Sequence, residues 1–304
     1  MFTFTGRDGL RIHVHEWRPE GPARGVVQIA HGMGEHAGRY DPLARALNAR
    51  GYTVYANDHR GHGATMHAGP GVLGKDGWNL LVEDVAELSR VVGGRHPELP
   101  LVLVGHSLGS FAAQQYLLKH PGLADGVALC GTTAVDLLLA DLAQAGPDVM
   151  ASLNAPFQPA RTDFDWLSRD PAQVDAYIAD PLCGFSLDDE GMGGLAAAAT
   201  RLADPSGAPV DLPLYLFVGD RDPLNKGLAH SDRLVERYRR AGVAHLLYRT
   251  YEGAHHELFN ETHRDEVVAD LADWIDRVAA GEFDRIGAEW APGGRGPAPG
   301  PSGG

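Results

Sequence analysis

Residues 102–109, VLVGHSLG, place a serine between two glycines where a strand-like run ends. Residues 101–104 have the apolar character of a buried strand, and Phe111 and Gln115 follow at helical spacing. This G-x-S-x-G pattern between a strand and a helix is typical of a nucleophile on a sharp turn, where glycines relieve crowding. Ser107 is therefore a candidate nucleophile. A serine hydroxyl reacts only when a base takes its proton and an acid orients that base.

The acid and the base are expected where other strands end, because sites in doubly wound sheets form beyond the carboxyl ends of the strands. The segment VGDRDP ends one predicted strand and offers Asp220 and Asp222. The segment YEGAHHE follows the next predicted strand and offers His255 and His256. The residues themselves leave both acids and both histidines open.

Strand and helix patterns alternate along most of the chain. Strands are predicted at residues 25–30, 52–56, 101–104, 127–130, 214–218 and 246–250. Strands that alternate with helical segments predict an α/β protein with a parallel, doubly wound sheet. The alternation stops between about 132 and 210, where the sequence is helical and loop-like. This segment is expected to form a lid or cap across one end of the sheet.

Composition narrows the classes of function. The 304-residue chain has a formal net charge of −14, which disfavours nucleic acid and electrostatic docking on anionic membranes. Two cysteines, Cys130 and Cys183, are too few for a disulfide framework and favour a reducing compartment. The sequence shows neither a signal-peptide pattern nor an apolar run long enough to cross a bilayer, so a cytoplasmic location is expected.

Asp58, His59 and His62 have a short spacing that suggests a metal site. They lie, however, in a glycine-broken loop after a strand, whereas zinc ligands usually come from a rigid helix or hairpin. We expect a structural loop here and predict no metal.

Six segments together resemble the α/β-hydrolase superfamily. Within it, the chain is most similar to the monoacylglycerol lipase and lysophospholipase group, which includes serine aminopeptidase-like bacterial esterases. The resemblance extends over about residues 1–280. It rests on HGMGEHAGRY (31–40), NDHRGHG (57–63), GHSLGS (105–110), DWLSRDPAQVDAYIADPL (165–182), VGDRDPLNKG (218–227) and YEGAHHE (251–257).

The resemblance implies the α/β-hydrolase fold, a mostly parallel eight-stranded sheet with helices on both faces and a helical cap insertion. The core is expected at residues 1–131 and 211–280, and the cap at 132–210. Residues 281–304, which end in glycine and proline, are expected to be disordered because such a composition cannot bury a core.

The resemblance also selects among the candidate residues. The acid of the family lies three positions after the glycine that ends its strand, which is Gly219 here, so Asp222 is the match. The histidine of the family ends an EGA-x-H run, so His256 is the match. Asp220 and His255 stay as the alternatives.

Acyl transfer needs donors for the oxyanion of a tetrahedral intermediate, usually two backbone N–H groups. The first is expected from Leu108, which follows the nucleophile and begins a helix whose dipole favours negative charge. The second is expected from Met33, by its position in the HGMG loop after a predicted strand.

The predicted function is a serine hydrolase that cleaves carboxylic esters through an acyl-enzyme, without a cofactor. Monoacylglycerols or medium-chain acyl esters are the expected substrates. An aminopeptidase, amidase or thioesterase is the alternative enzyme, and a non-catalytic ligand-binding protein is the alternative of another class. A dehalogenase or an epoxide hydrolase would normally carry an aspartate in place of Ser107.

The predicted cap is rich in apolar residues that either pack on the body or line an acyl-chain tunnel. The expected partner is a small acyl ester or lipid, with a transient contact between the cap and a lipid interface. The apolar residues are Leu137, Leu138, Leu139, Leu142, Met150, Leu153, Phe157, Phe164 and Trp166.

Overall fold

The structure is a computed structural model that describes residues 1–145 and 149–284. Its strands are β1 (Phe2–Thr5), β2 (Arg11–Trp17), β3 (Gly25–Ala30), β4 (Tyr52–Asn57), β5 (Leu101–His106), β6 (Gly126–Cys130), β7 (Leu214–Gly219) and β8 (Leu246–Tyr251). Its α-helices are α1 (Asp41–Ala49), α2 (Gly77–Arg95), α3 (Leu108–Lys119), α4 (Val135–Ala145), α5 (Val149–Asn154), α6 (Pro171–Ala179), α7 (Asp189–Leu202), α8 (Ala229–Arg240) and α9 (Arg264–Ala279).

The strands form one eight-stranded sheet in the order β1-β2-β4-β3-β5-β6-β7-β8. The pairs β1–β2 and β2–β4 are antiparallel, and all other pairs are parallel. Every residue of β3, β4, β5 and β7 is buried, because helices cover both faces of a parallel sheet. The predicted fold class is confirmed.

Apolar clusters on both faces hold the helices onto the sheet. Leu81 of α2, Phe111 of α3 and Leu234 of α8 belong to the cluster on one face. Leu47 of α1 and Trp274 of α9 belong to the cluster on the other face. The first cluster also continues into the segment between β6 and β7.

Between β6 and β7 the described residues contain helices and loops but no strand. Leu138 and Trp166, predicted as cap residues, are buried in the same cluster as the body of the protein. At the end of this segment, α7 packs against α2, and a Cβ at Gly194 would lie 2.8 Å from Trp78 Cβ. The last helix of the predicted cap therefore also completes the layer beside α2, and the core and cap boundaries stay a prediction.

The side chain of Met150 and residues 285–304 of the predicted tail lie outside the described part. The tail was expected to begin at 281, but Glu282–Asp284 form a short 3-10 helix. The Phe283 ring lies 6.4 Å from the Trp274 ring, centroid to centroid, so these residues contact α9. Among the described helices, none is long and apolar enough to cross a membrane.

Candidate active site

Ser107 occupies the turn between β5 and α3 and has φ +50° and ψ −120°. A positive φ is unusual for a residue with a side chain, so surrounding contacts must hold it in place. Its N–H donates to Cys130 O at 3.0 Å, and its carbonyl accepts from Ser110 N at 2.8 Å. These two hydrogen bonds fix the turn on both sides of Ser107, which directly follows the end of β5.

The two glycines of the motif are required by close approaches of the backbone. A Cβ at Gly105 would lie 2.6 Å from Gly109 O, and one at Gly109 would lie 2.1 Å from Ala30 O. No side chain fits at either position, because real Cβ contacts are not that short. The sequence pattern therefore reports the tight packing of α3 on β3 and β5.

His256 and Asp222 meet where the loops after β8 and β7 come together. His256 Nδ1 lies 2.8 Å from Asp222 Oδ2, and both residues are buried. Asp222 Oδ1 accepts the N–H of Leu224 at 3.0 Å, which fixes the carboxylate. The imidazole is held through Nδ1, so Nε2 is the nitrogen available for proton transfer.

The charge state of His256 depends on opposing effects. Burial lowers the pKa of the imidazole, but the charge and hydrogen bond of Asp222 outweigh it and raise the pKa above 6.5. Two rings lie near the imidazole, Trp166 at 5.2 Å and His106 at 4.9 Å, centroid to centroid. Asp222 therefore favours the protonated imidazole that a general base becomes.

The alternative acid and base have other partners. Asp220 Oδ1 accepts the N–H of Gly253 at 2.7 Å and shapes the turn. His255 Nδ1 lies 2.8 Å from Asp165 O, and its ring packs on Phe157 at 4.1 Å. The structure brings Asp222 and His256 together and separates Asp220 and His255 into structural contacts.

Met33 lies in the loop after β3, between Gly32 and Gly34, and is 37% exposed to solvent. Gly34 has φ +64°, a conformation that glycine adopts readily. Among the residues described, none accepts a hydrogen bond from the backbone N–H of Met33 or of Leu108. Two donors predicted from the sequence thus have no protein acceptor within the described chain.

A buried group of charges supports this loop, and sequence reasoning did not find it. Glu35 Oε1 accepts from Gly32 N at 2.6 Å and from Tyr40 OH at 2.8 Å. Arg39 Nη1 lies 2.7 Å from a carboxylate oxygen of both Glu35 and Glu257. The i,i+4 spacing of Glu35 and Arg39 was the available signal.

Asp58, His59 and His62 are engaged by nearby groups. Asp58 Oδ1 accepts from Ala37 N at 2.9 Å, and His62 Nε2 accepts from Gly34 N at 3.3 Å. His59 Nε2 lies 3.1 Å from the carbonyl of His31. These contacts give the segment a structural role beneath the Met33 loop.

The cap is joined directly to the loop that carries His256. Glu257 N donates to Leu167 O at 2.8 Å. Arg169 Nε donates to Glu261 Oε2 at 2.9 Å, and Glu261 is buried. This part of the cap and the His256 loop therefore form one hydrogen-bonded unit.

A cavity of about 270 Å³ contains the candidate residues and reaches into the cap. Ser107, His256, Met33 and Leu108 all line it. The rest of the wall is mostly apolar and includes Leu138, Leu139, Leu142, Leu153, Phe164 and Trp166. Several cap residues predicted to line an acyl-chain tunnel thus line the same cavity as Ser107. Leu138 and Trp166 also pack against the body of the protein.

Among α/β folds, a serine on such a strand-to-helix turn that lines one apolar cavity with a buried histidine is typical of one class of enzyme. The chain is a serine ester hydrolase with the α/β-hydrolase fold. The family model "Hydrolase_4: Serine aminopeptidase, S33" matches residues 21–263. The chain belongs to this family.

Relatives of known name match almost the whole chain. A monoacylglycerol lipase of Mycolicibacterium smegmatis is 34% identical over 278 residues, covering 90% of this chain and 95% of the relative. A monoglyceride lipase of Mus musculus is 27% identical over 292 residues, covering 90% of this chain and 89% of the relative.

Solved structures agree with this family. A thermostable carboxyl esterase from Bacillus coagulans is 29% identical with a TM-score of 0.78, over 91% of this chain and 98% of that one. A monoacylglycerol lipase of Paleococcus ferrophilus is 25% identical with a TM-score of 0.63, over 88% of this chain and 98% of that one.

Proposed function

We propose that this chain hydrolyses monoacylglycerols or similar medium-chain acyl esters through an acyl-enzyme on Ser107. The observation that carries the proposal is the shared cavity, which Ser107, His256, Met33 and Leu108 line together with apolar residues of the cap. The named lipase relatives support the same substrate class.

The proposed steps use only groups of this chain. Ser107 Oγ attacks the ester carbonyl while His256 Nε2 takes its proton and then passes it to the leaving alcohol. Asp222 orients the imidazole and stabilises its charged form. A water molecule activated by His256 then hydrolyses the acyl-enzyme, and no cofactor is required.

The oxyanion would bind the N–H groups of Met33 and Leu108. Such a donor contributes about 3–4 kcal/mol to the transition state. Glu35 holds the neighbouring Gly32 N–H at 2.6 Å, which keeps the loop in place before substrate arrives. A preorganised loop costs no rearrangement during the reaction.

Ester hydrolysis is favoured over aminopeptidase activity by the charges at the cavity. An aminopeptidase needs a carboxylate to bind the substrate ammonium group. Among the residues described, two carboxylates line the cavity, Glu35 and Glu257, and both are ion-paired with Arg39. We expect no turnover of aminoacyl anilides.

The cap contact with a lipid interface and the cytoplasmic location remain parts of this proposal. Ile178 and Leu182 of the cap are exposed apolar side chains, as is Met33. Both cysteines are free thiols, which fits a reducing compartment.

The test is hydrolysis of p-nitrophenyl esters from acetyl to palmitoyl, and of monoacylglycerols, by matched variants. Ser107→Ala, His256→Ala and Asp222→Asn should each lower kcat by about 10⁴-fold or more. His255→Ala and Asp220→Asn are the controls, since their partners lie outside the proposed machinery, and each should keep most of the activity. Equal losses in the controls, or an unaffected Ser107→Ala, would overturn the assignment.

A further inference from the structure

A second cluster of chemically active side chains lies where the cap touches the loop that carries Met33. His36 follows that loop, Asp180 comes directly after α6, and Cys183 lies in the next turn. One ligand atom from each of the three lies within 4.8 Å of the others. His36 Nε2 and Asp180 Oδ2 are 2.9 Å apart.

We propose that His36, Asp180 and Cys183 bind a zinc-like divalent cation, which fixes the cap to the Met33 loop. Imidazole nitrogen, thiolate sulfur and carboxylate oxygen are all ligands of Zn²⁺. Mg²⁺ and Ca²⁺ require oxygen ligands and do not suit this set. Three protein ligands leave the fourth tetrahedral position to water.

The spacing allows metal binding with small movements. Tetrahedral zinc with bonds of 2.0–2.3 Å places its ligand atoms about 3.3–3.8 Å apart. The contact of 2.9 Å between His36 and Asp180 would open slightly. The ligand atoms that lie farthest apart, at up to 4.8 Å, would move closer together by about 1 Å.

Metal binding would rearrange the protons of His36 and Cys183. His36 Nδ1 accepts the N–H of Gly38 at 3.2 Å, which puts the ring proton on Nε2, facing Asp180. A metal at Nε2 moves that proton to Nδ1 and breaks this long hydrogen bond. The Cys183 thiol loses its proton to solvent as the sulfur–metal bond forms, so one proton is released for each metal bound.

The surrounding charges favour a cation. Arg39 lies over the Tyr177 ring of α6, at 4.8 Å from the ring centroid. Its guanidinium is already paired with Glu35 and Glu257, each at 2.7 Å. With Asp180, three carboxylates stand against one guanidinium in this region.

A bound metal would strengthen a contact that already exists. Gly184 N and Tyr177 OH both donate to Gly34 O, each at 2.9 Å. Gly184 and its neighbours Phe185 and Ser186 also line the cavity beside Met33. We expect a fixed turn to restrict movement of the cap away from the Met33 loop and so to slow substrate entry.

The binding test is titration of the full chain with Cd²⁺, followed by the ultraviolet thiolate-to-cadmium charge-transfer band. Wild type should show one saturable equivalent, and Cys183→Ser should lose the band. Cys130→Ala is the matched control, because Cys130 is the second thiol and is buried in the sheet, and it should keep the band. Asp180→Asn and His36→Ala should weaken binding by about tenfold or more.

A wild-type chain without the band, or a band that survives Cys183→Ser, would overturn the site. This readout does not need catalysis, so it stays informative if the proposed function fails. Zn²⁺ should also raise the Tm of wild type but not that of Cys183→Ser.

The effect on the cap rests on the proposed function and is tested by ester hydrolysis. Zn²⁺ should inhibit wild type reversibly, with recovery on adding a chelator. Cys183→Ser should have ordinary activity without Zn²⁺ and resist inhibition. Equal inhibition of wild type and Cys183→Ser would show that Zn²⁺ inhibits at another site. It would overturn the proposal that the metal fixes the cap.

Discussion

In the proposed mechanism His256 sets the pH dependence, because a general base must be neutral to accept the Ser107 proton. Burial lowers its pKa, but the Asp222 carboxylate, with smaller contributions from Glu257 and Glu35, raises the pKa above its ordinary value. We therefore expect kcat/KM to rise with pH through a midpoint above 6.5, measured with a soluble short-chain ester.

Asp222→Asn removes the charge that raises this pKa and leaves the burial that lowers it. The midpoint of the residual activity should then move to lower pH. Asp220→Asn should leave the midpoint in place. A midpoint that stays fixed in Asp222→Asn would show that another group controls the profile.

Arg39 is expected to be a strong determinant of stability. Its side chain is only 12% exposed and pairs with Glu35 and Glu257, which are buried as well. Arg39→Met would leave two buried carboxylates without their partner, and should lower the free energy of unfolding by about 3–5 kcal/mol in urea.

The control is Arg45→Met. Arg45 also pairs with an acid four residues away, Asp41, but its side chain is 72% exposed. It should unfold almost as wild type does, because water screens exposed pairs. Similar losses in both variants would contradict the role of burial.

At this scale the sequence predicts motifs better than partners. Ser107 follows from its local pattern, but the choice of Asp222 over Asp220 needed the family resemblance. The Arg39–Glu257 pair joins positions 218 residues apart, and no local spacing predicts such a contact. The glycine-broken loop at Asp58, His59 and His62 predicts a structural role, and backbone groups contact all three side chains.

Among the elements, the crossing of α3 with β3 is a tight constraint on the position of Ser107. Gly109→Ala would place a Cβ 2.1 Å from Ala30 O. The helix would have to move, and Ser107 with it. We expect a loss of about 3 kcal/mol in stability and a large loss of ester hydrolysis.

Gly94→Ala is the matched substitution in α2, where a Cβ would meet no atom within 4 Å. It should be neutral or stabilise the protein by up to about 1 kcal/mol, because alanine favours helices. Thermal unfolding and activity of the two variants together check the prediction. A harmless Gly109→Ala would mean that α3 can shift freely.

Continuous apolar runs predicted most strands of the parallel sheet, because these strands are buried on both faces. Helical spacing of apolar residues predicted the helices between them. It did not show that α7 would pack beside α2, since Gly194 carries no side chain to reveal the close approach. Nor did it show that Phe283 packs near α9, because the composition of the following residues suggested disorder.

For the whole molecule, charge should control the choice of lipid surface. The net charge of −14 repels anionic assemblies, although the cap carries exposed apolar side chains. We expect faster hydrolysis of a monoacylglycerol in zwitterionic micelles than in anionic ones at low salt. The difference between the two rates should become smaller when salt is raised to about 0.15 M, because charges are then screened beyond about 8 Å.

Mixed micelles with increasing anionic detergent measure this directly, with a water-soluble short-chain ester as the control. The control rate should not depend on the micelle charge. A rate that rises with anionic content would contradict electrostatic repulsion and point to a local basic contact.

The bonds between the cap and the His256 loop limit how the protein can be recombined with its relatives. The backbone N–H of Glu257 donates to the carbonyl of Leu167, and the guanidinium of Arg169 donates to the carboxylate of Glu261. The partners of each hydrogen bond are far apart in the sequence. A chimaera that takes residues 166–169 from one parent and residues 256–261 from another would separate these matched partners. Crossover points that keep both segments from the same parent should preserve the position of His256 while exchanging the other cap residues that line the cavity.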